Sequence, residues 1–262
     1  MVTREIMVPS RKRRVLVFDV ETTGKLPKQV RGAPAPSFSE YPHILQLSFV
    51  IYDLAERAIV YSYDSYVNVA QDVVISDFIS EFTGITREKC DGGKNIVDVL
   101  TAFYDAYMRA DCLVAHNIEF DTKLIEIELI RHREAILERA PYCLTIFNEV
   151  YEKMNNIERY CTMKKGTKMC AIPSNPVVNI PTVAIDASSG LHPLLQQMMS
   201  SEVAVVAKPA GRMMNKWPKL VELYEMLFQE KAENLHNSMN DVLACLRCYV
   251  KMRHGYDNGL LG

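Results

Sequence analysis

Two acidic residues follow a run of apolar residues near the start of the chain. In the stretch VLVFDVETTG, Asp19 and Glu21 are one residue apart at the end of a segment that is otherwise typical of a buried β-strand. Side chains at positions i and i+2 of a strand point to the same face of a sheet, so these two carboxylates are expected to lie together. Two like charges this close repel each other unless a cation lies between them, as in a divalent metal site, but a D-x-E pattern alone is equally typical of a solvated strand end.

Two further acids stand where helices are predicted to begin. Asp121, in HNIEFD, lies at or just inside the start of an amphipathic helix, after a short strand that brings the chain to the same end of the sheet. Asp241, in HNSMND, follows Ser238 by three residues, which also fits a capping box, so Asp241 alone is explained as a helix-terminal acid. His236 precedes that helix, and it can face one cleft together with Asp241. The whole set indicates chemistry, although no single member does.

The spacing of apolar residues predicts the elements that position these side chains. Strands are predicted in RRVLVFDVE, HILQLSFVIYDL, AIVYSYDSYVNV and DCLVAHN, the second and third pairing as an antiparallel hairpin. Helices are predicted in SDFISEF, NIVDVLTAFYDAYMRA, FDTKLIEIELIRHREAILE, KWPKLVELYEMLFQ and SMNDVLACLRCYVKM. In the last of these, one face carries Val242, Cys245, Leu246 and Tyr249. This order of elements indicates a mixed α/β domain.

Three of these stretches resemble, in order, the motifs of a known nuclease family. FDVETTG, HNIEFD and HNSMND are similar to the three exonuclease motifs of the DEDDh family, also called DnaQ-like 3′-to-5′ exonucleases. The intervening stretches YPHILQLSFVIYDL and FTGIT are similar to that family as well. Three ordered motifs with their internal spacing intact are far more specific than one. The similarity covers roughly residues 13–165 and 215–253.

The resemblance implies a fold, a cofactor and a role for each motif residue. The fold would be α/β and ribonuclease H-like, with a mixed five-stranded sheet flanked by helices and an insertion before the last two helices. The cofactor would be Mg²⁺, two ions per site, for which Mn²⁺ can substitute. The implied roles are metal ligands for Asp19, Glu21, Asp121 and Asp241, general base for His236, and contact with the terminal nucleotide for Thr22, Thr23 and Asn117.

The implied activity is 3′-to-5′ exonucleolytic hydrolysis of terminal phosphodiester bonds to nucleoside 5′-monophosphates, with DNA as the favoured substrate. The two ions would polarise the scissile phosphate, activate water and stabilise the leaving 3′-oxygen. A 3′-to-5′ exoribonuclease acting on RNA ends or short oligoribonucleotides is the alternative, because no residue decides how the site treats a 2′-hydroxyl. A catalytically silent module that binds nucleic-acid ends is the rival from another class. Loss of a ligand or of the histidine would favour that rival, and the sequence retains them all.

One exonuclease domain with an insertion is the predicted organisation. Residues 1–12 are expected to form a basic N-terminal tail, residues 13–255 the domain and residues 256–262 a C-terminal tail. The insertion, at about residues 171–211, carries few formal charges. This composition favours a packing surface, self-association or a site for a protein partner over an arm that follows phosphates.

Composition is neutral on the identity of the partner. The formal net charge is -2, so a nucleic-acid role depends on local charge. Lys25, Lys28 and Arg31 follow Thr23 and would either contact phosphates or belong to a solvated loop. The partners implied by the resemblance are single-stranded or frayed 3′ ends of DNA or RNA.

The remaining sequence features concern localisation and packing. No membrane is expected, because no apolar run approaches a span, and the N-terminus lacks a secretory pattern. Seven cysteines fit a reducing compartment, so an intracellular, soluble protein is expected, in cytoplasm or nucleus. Cys245 and Cys248 are better explained as packed thiols than as a zinc or redox motif, and His116 as a strand-end histidine. Glu119 is expected to be an exposed acid rather than a fifth ligand, and Trp217 a core residue rather than a base-stacking platform.

Overall fold

The computed structural model describes residues 13–28, 32, 34–174, 215–232, 235 and 237–260. The chain divides into two compact units, residues 1–170 with 217–262 and residues 171–216. The predicted tail at 1–12 and most of the predicted insertion lie outside the described residues. Within the second unit, Pro173 and Asn215 form an antiparallel bridge, and the Lys216 N–H donates to the Ile172 carbonyl at 2.9 Å.

A five-stranded mixed sheet in the order β3-β2-β1-β4-β5 is the centre of the first unit. Its strands are β1 (Arg14–Thr22), β2 (Ile44–Asp53), β3 (Ala58–Tyr66), β4 (Cys112–Ala115) and β5 (Glu158–Cys161). The β1–β2 and β2–β3 pairs are antiparallel, whereas β1–β4 and β4–β5 are parallel. The predicted mixed five-stranded α/β fold is confirmed. Because β1 is bonded on both edges and covered on both faces, its sequence is apolar up to the acids.

Helices flank this sheet. They are α1 (Asp77–Thr83), α2 (Arg87–Asp91), α3 (Ile96–Tyr107), α4 (Ile118–Arg131), α5 (Arg133–Arg139), α6 (Glu149–Met154), α7 (Thr162–Cys170), α8 (Leu220–Phe228) and α9 (Ser238–His254). Two 3₁₀ helices span Phe38–Glu40 and Pro141–Thr145. In the described parts of the chain, none of the helices is both long and apolar enough to cross a lipid bilayer.

The predicted long helix after β4 is divided in two. The sequence predicts one helix through both α4 and α5, but His132 leaves the helical region at φ -106° and separates them. The Arg131 guanidinium donates to the Tyr41 carbonyl at 2.9 Å and contacts the Glu128 carboxylate. These bonds fix the end of α4 to the loop before β2. Apolar spacing carries no information about such long-range anchoring.

The alternation of β1 divides the core into two layers. Leu16, Phe18 and Val20 belong to the cluster that includes the buried residues of α3 and α4. Val15 and Val17 point to the opposite face, where they cluster with the apolar residues of α9. The predicted apolar face of α9 is confirmed, since all four of its residues are buried. Asp19 and Glu21 continue the odd-numbered series of β1 and therefore share the face covered by α9.

Two further helices pack beside α9. Leu223 and Tyr224 of α8 cluster with Ala244 and Cys248 of α9. The helices α7 and α8 approach closely at Gly166, where an added Cβ would lie 2.8 Å from the Leu223 side chain. Both cysteines of the C-x-x-C in α9 are buried and free, as expected for packed thiols.

Candidate active site

Three of the predicted acids meet where β1 ends and α9 begins. One carboxylate oxygen from each of Asp19, Glu21 and Asp241 lies within 4.8 Å of the other two. Asp19 and Glu21 come from one face of β1, and Asp241 lies in the first turn of α9. We call these three residues the carboxylate cluster. A set of oxygen ligands at this spacing can hold a hard divalent cation such as Mg²⁺ or Mn²⁺.

The start of α9 is tied directly to β1. The buried Ser238 hydroxyl donates to the Asp19 carbonyl oxygen at 2.8 Å. Asn237 caps the helix, since its side chain accepts from the Asn240 N–H at 3.4 Å. The sequence pattern suggested Ser238 as the cap, but its hydroxyl is used for the contact with β1. That contact brings Asp241 close to Asp19 and Glu21. In the sequence, the only indication of this contact is a small hydroxyl residue, Ser238, just after the capping residue.

Asp121 lies at the same end of the sheet but is not one of the three clustered acids. It is 2% exposed, and its Oδ1 accepts from the Val20 N–H at 3.2 Å. The pairing of β4 with β1 ends at Val17, and the Asp121 carboxylate bonds to β1 beyond that point. Asp121, the fourth predicted acid, is thus bonded to the backbone N–H of Val20, the residue between Asp19 and Glu21 in β1.

Burial and mutual repulsion raise the pKa values of these acids. Burial raises the pKa of Asp19 to about 7. Burial, followed by the charges of Asp19 and Asp241, raises the pKa of Glu21 to about 9. Burial and the charge of Asp19 also raise the pKa of Asp121. A cation between these groups would remove the repulsion, so the electrostatics and the donor atoms both fit a divalent metal.

The chain turns immediately after Glu21. The register of β1 against β2 shifts between Glu21 and Thr22. The buried Thr22 hydroxyl donates to the Gly24 carbonyl at 2.6 Å. Thr23 is bonded twice to His43, through its N–H and through its Oγ1, each at 3.0 Å. The two predicted nucleotide-contact threonines therefore also build the turn beside the carboxylate cluster.

Asn117 joins β4 to α4. It is the residue before α4 and has left-handed backbone angles, φ 72° and ψ 50°. Asparagine tolerates this region better than most residues, which is a structural reason for its presence at the junction. The predicted general base His236 lies outside the described residues, and it directly precedes the capping residue Asn237 in the sequence.

The exposure of two other side chains, Glu119 and Trp217, was also predicted from the sequence. Glu119 is exposed and forms an ion pair with Lys164, as expected for an acid outside the site. Trp217 was expected in the core, and that prediction is wrong: it is 61% exposed. The reason is that the chain is anchored here by its neighbour Pro218, which is buried in place of the indole.

His116 connects three elements at the end of β4. Its Nε2 lies 3.0 Å from the Pro218 carbonyl oxygen, and its Nδ1 lies 3.0 Å from the Thr162 Oγ1. A carbonyl can only accept, so Nε2 carries the proton and the neutral ring accepts at Nδ1. Burial lowers the pKa of His116 to about 4, although the bond to Pro218 opposes this shift. The strand-end histidine is therefore a neutral bridge.

We expect His116 to make the protein less stable as the pH falls. Its folded pKa, about 4, lies below the ordinary value of 6.5, so between these values the unfolded chain binds more protons. The contribution of His116 to the free energy of unfolding should therefore decrease as the pH falls through this range. His116→Gln retains a donor for the Pro218 carbonyl. Between pH 8 and pH 4.5, its free energy of unfolding should decrease by about 1–2 kcal/mol less than that of the unaltered protein. Urea unfolding at pH 8 and pH 4.5 measures this difference, and parallel profiles for the two proteins would contradict it.

A mixed five-stranded sheet with an acidic cluster at the end of its central strand defines the ribonuclease H-like class of α/β proteins. The model of the exonuclease family RNase_T matches residues 16–171 of this sequence. Because that match covers more than half of the sequence, the chain belongs to this exonuclease family, the DEDDh or DnaQ-like family. The predicted family is thus confirmed.

Relatives and solved structures agree with this assignment. The DNA polymerase III PolC-type of Streptococcus pyogenes serotype M5 is 32% identical over 125 residues, which is 45% of this chain and 7% of that protein. The chain thus matches only a small part of these curated relatives. A 3′-exonuclease studied for 3′-end-specific recognition of a histone mRNA stem-loop aligns with TM-score 0.55 and 15% identity, over 95% of this chain and 85% of that one. E. coli Exonuclease I in complex with a dT13 oligonucleotide aligns with TM-score 0.54 and 15% identity, over 93% and 42%. These two similarities show a shared fold.

Proposed function

We propose that this chain is a metal-dependent 3′-to-5′ exonuclease that hydrolyses terminal phosphodiester bonds and releases nucleoside 5′-monophosphates. The observation that carries the proposal is the carboxylate cluster, in which three oxygens from two family motifs lie within 4.8 Å of one another. Burying like-charged carboxylates lowers the stability of the fold unless a cation compensates them, and such clusters are typical of functional sites. A bound divalent cation would offset the repulsion between the three carboxylates.

Each motif residue has a proposed task. Asp19, Glu21 and Asp241 would hold Mg²⁺ or Mn²⁺, with Asp121 supporting a second ion. Two bound ions would supply activation of water and stabilisation of charge on the phosphate and the leaving 3′-oxygen. His236, directly before the cap of α9, would accept the proton of the attacking water in its neutral form. Thr22 and Thr23 directly follow Glu21 in the sequence, Asn117 lies four residues before Asp121, and all three would contact the terminal nucleotide.

DNA is the favoured substrate of the proposed activity, and RNA is the alternative. A DNA polymerase and an exonuclease bound to a DNA oligonucleotide are among the relatives, which supports DNA. The similarity to an exonuclease that recognises an mRNA stem-loop supports RNA. In either case the partner would be a single-stranded or frayed 3′ end. The weakly charged insertion at about 171–211 is a candidate contact for a second copy or a protein partner.

One degradation assay tests the proposal. Purified protein with Mg²⁺ or Mn²⁺ is given 5′-labelled single-stranded DNA, duplex DNA and RNA, each with a free or a blocked 3′ end. We expect a ladder of products that shorten from free 3′ ends, dependence on metal, and 5′-monophosphates as the released nucleotides. Binding to all substrates without any product would instead identify a silent end-binding module. Shortening of blocked 3′ ends would contradict the polarity.

A further inference from the structure

Trp217 is the sole tryptophan of the chain, and it is exposed at the end of the sheet that carries the acids. Its position is fixed by the next residue. Pro218 is buried, and its carbonyl oxygen accepts from His116 Nε2 at 3.0 Å. His116 directly follows β4, which runs parallel to β1 with Val114 opposite Val17. The end of β4 and the Asp19 end of β1 therefore lie side by side.

Exposed lysines accompany the exposed indole. Lys219 lies two residues after Trp217, and Lys165 and Lys168 are exposed on α7, the helix that meets α8 at Gly166. Exposed aromatic rings combined with exposed cations on the same or neighbouring elements are typical of surfaces that bind single-stranded nucleic acid, because bases stack on the ring and phosphates approach the cations. An apolar partner surface would gain nothing from these charges.

We propose that Trp217 stacks on a base of the substrate strand, upstream of the terminal nucleotide that occupies the carboxylate cluster. Lys165, Lys168 and Lys219 contribute positive potential for the phosphates of the same strand. Trp217 is thus a substrate-positioning residue, and this inference rests on the proposed exonuclease function. Trp217 would contribute to the binding of a strand of several nucleotides. It would not contribute to the hydrolysis of a single-nucleotide ester, which would depend on the acids.

The fluorescence of the sole tryptophan tests the contact directly. A 5′-labelled single-stranded DNA 12-mer is titrated with the full-length protein in Ca²⁺, and binding is followed by anisotropy of the label. We expect tryptophan fluorescence to be quenched in parallel with that binding. Binding of the 12-mer with unchanged tryptophan fluorescence would overturn the proposal, and so would failure of the 12-mer to bind.

Kinetics of variants separate this inference from the proposed function. Trp217→Ala should raise KM for the single-stranded 12-mer about 5- to 100-fold, and Trp217→Phe should restore most of the loss because it keeps a ring. Hydrolysis of the p-nitrophenyl ester of thymidine 5′-monophosphate, which has no upstream base, should stay unchanged. Met154→Ala is the control, since Met154 is 78% exposed on α6, before the opposite end of β5.

The outcomes are distinct for the two hypotheses. If the unaltered protein cleaves neither substrate, the proposed function fails, and quenching alone decides whether Trp217 contacts the strand. If it cleaves both and Trp217→Ala has the same KM for the 12-mer, the stacking contact is wrong. Equal losses on the 12-mer and on the single-nucleotide ester would also overturn it, because they would indicate a general structural defect.

Discussion

Asp19→Asn is expected to reduce hydrolysis roughly 10³-fold or more, to the background of the assay, while the protein stays folded. Asp19 is the member of the carboxylate cluster whose own backbone carbonyl is bonded to α9, through Ser238 at 2.8 Å. An amide keeps the size of the side chain but provides only one neutral ligand oxygen, so divalent metal is held poorly. Asp241→Asn should have the same effect from the other side of the site. Initial rates at saturating Mg²⁺ measure both losses.

The stability of Asp19→Asn provides a second readout with a defined sign. The folded pKa of Asp19 is raised to about 7, so the unfolded chain loses its proton first as the pH rises. Asp19 therefore lowers the stability of the metal-free native protein as the pH rises from about 4 to 7, opposite in sign to the contribution of His116, and an asparagine removes the Asp19 contribution. At pH 8 without metal, the variant should be about 2 kcal/mol more stable than the unaltered protein. Urea unfolding in EDTA measures this difference.

A matched control makes these results specific. Asp105→Asn changes an exposed acid of α3 and should alter neither rate nor stability appreciably. A folded Asp19→Asn protein that still cleaves at the normal rate would contradict the metal-site assignment. A variant that binds DNA ends as before but does not cleave them would support it.

His236→Ala is expected to slow hydrolysis by roughly 10²- to 10⁴-fold while leaving metal and strand binding nearly unchanged. A general base accepts a proton only in its neutral form, so the rate of the unaltered enzyme should rise as the imidazole loses its proton. In His236→Ala this rise of the rate with pH should disappear, because water must then attack without a general base. Single-turnover rates between pH 5.5 and 8.5 measure both effects.

His254 offers the control for this substitution. It is the last residue of α9, about 25 Å along the helix from the end that carries Asp241. His254→Ala should therefore keep the normal rate and the normal pH profile. If His236→Ala cleaves as fast as the unaltered protein, another group removes the proton, and the proposed role of His236 is wrong.

Much of the fold was predictable because its main elements have long, regular patterns. The apolar run of β1, the hairpin of β2 and β3, and the apolar face of α9 each follow from periodicity. The short helices α2, α6 and α7 were not predicted. The five and six residues of α2 and α6 give too few turns for a periodic pattern, and α7, TMKKGTKMC, is mostly polar with Gly166 in its interior. The break at His132 was missed because contacts made by Arg131 with the distant loop before β2 decide it.

The site was predictable where its geometry is local. Spacing of i and i+2 places Asp19 and Glu21 on one face of β1, and a helix start places Asp241 in the first turn of α9. Two bonds that join residues far apart in the chain were not predictable. Ser238 bonds to the Asp19 carbonyl across 219 positions, and Asp121 bonds to the Val20 N–H across 101 positions.

The sequence by itself determined which residue types are available for chemistry and which family they belong to, because motifs and periodicities are local properties of the chain. Only the tertiary structure decided which acids meet, that Asp121 bonds to the backbone of β1, and that Trp217 is exposed. These outcomes depend on hydrogen bonds between distant segments, above all from Ser238 to β1 and from His116 to Pro218. Such bonds form only when packing brings the segments together, and no local pattern specifies them.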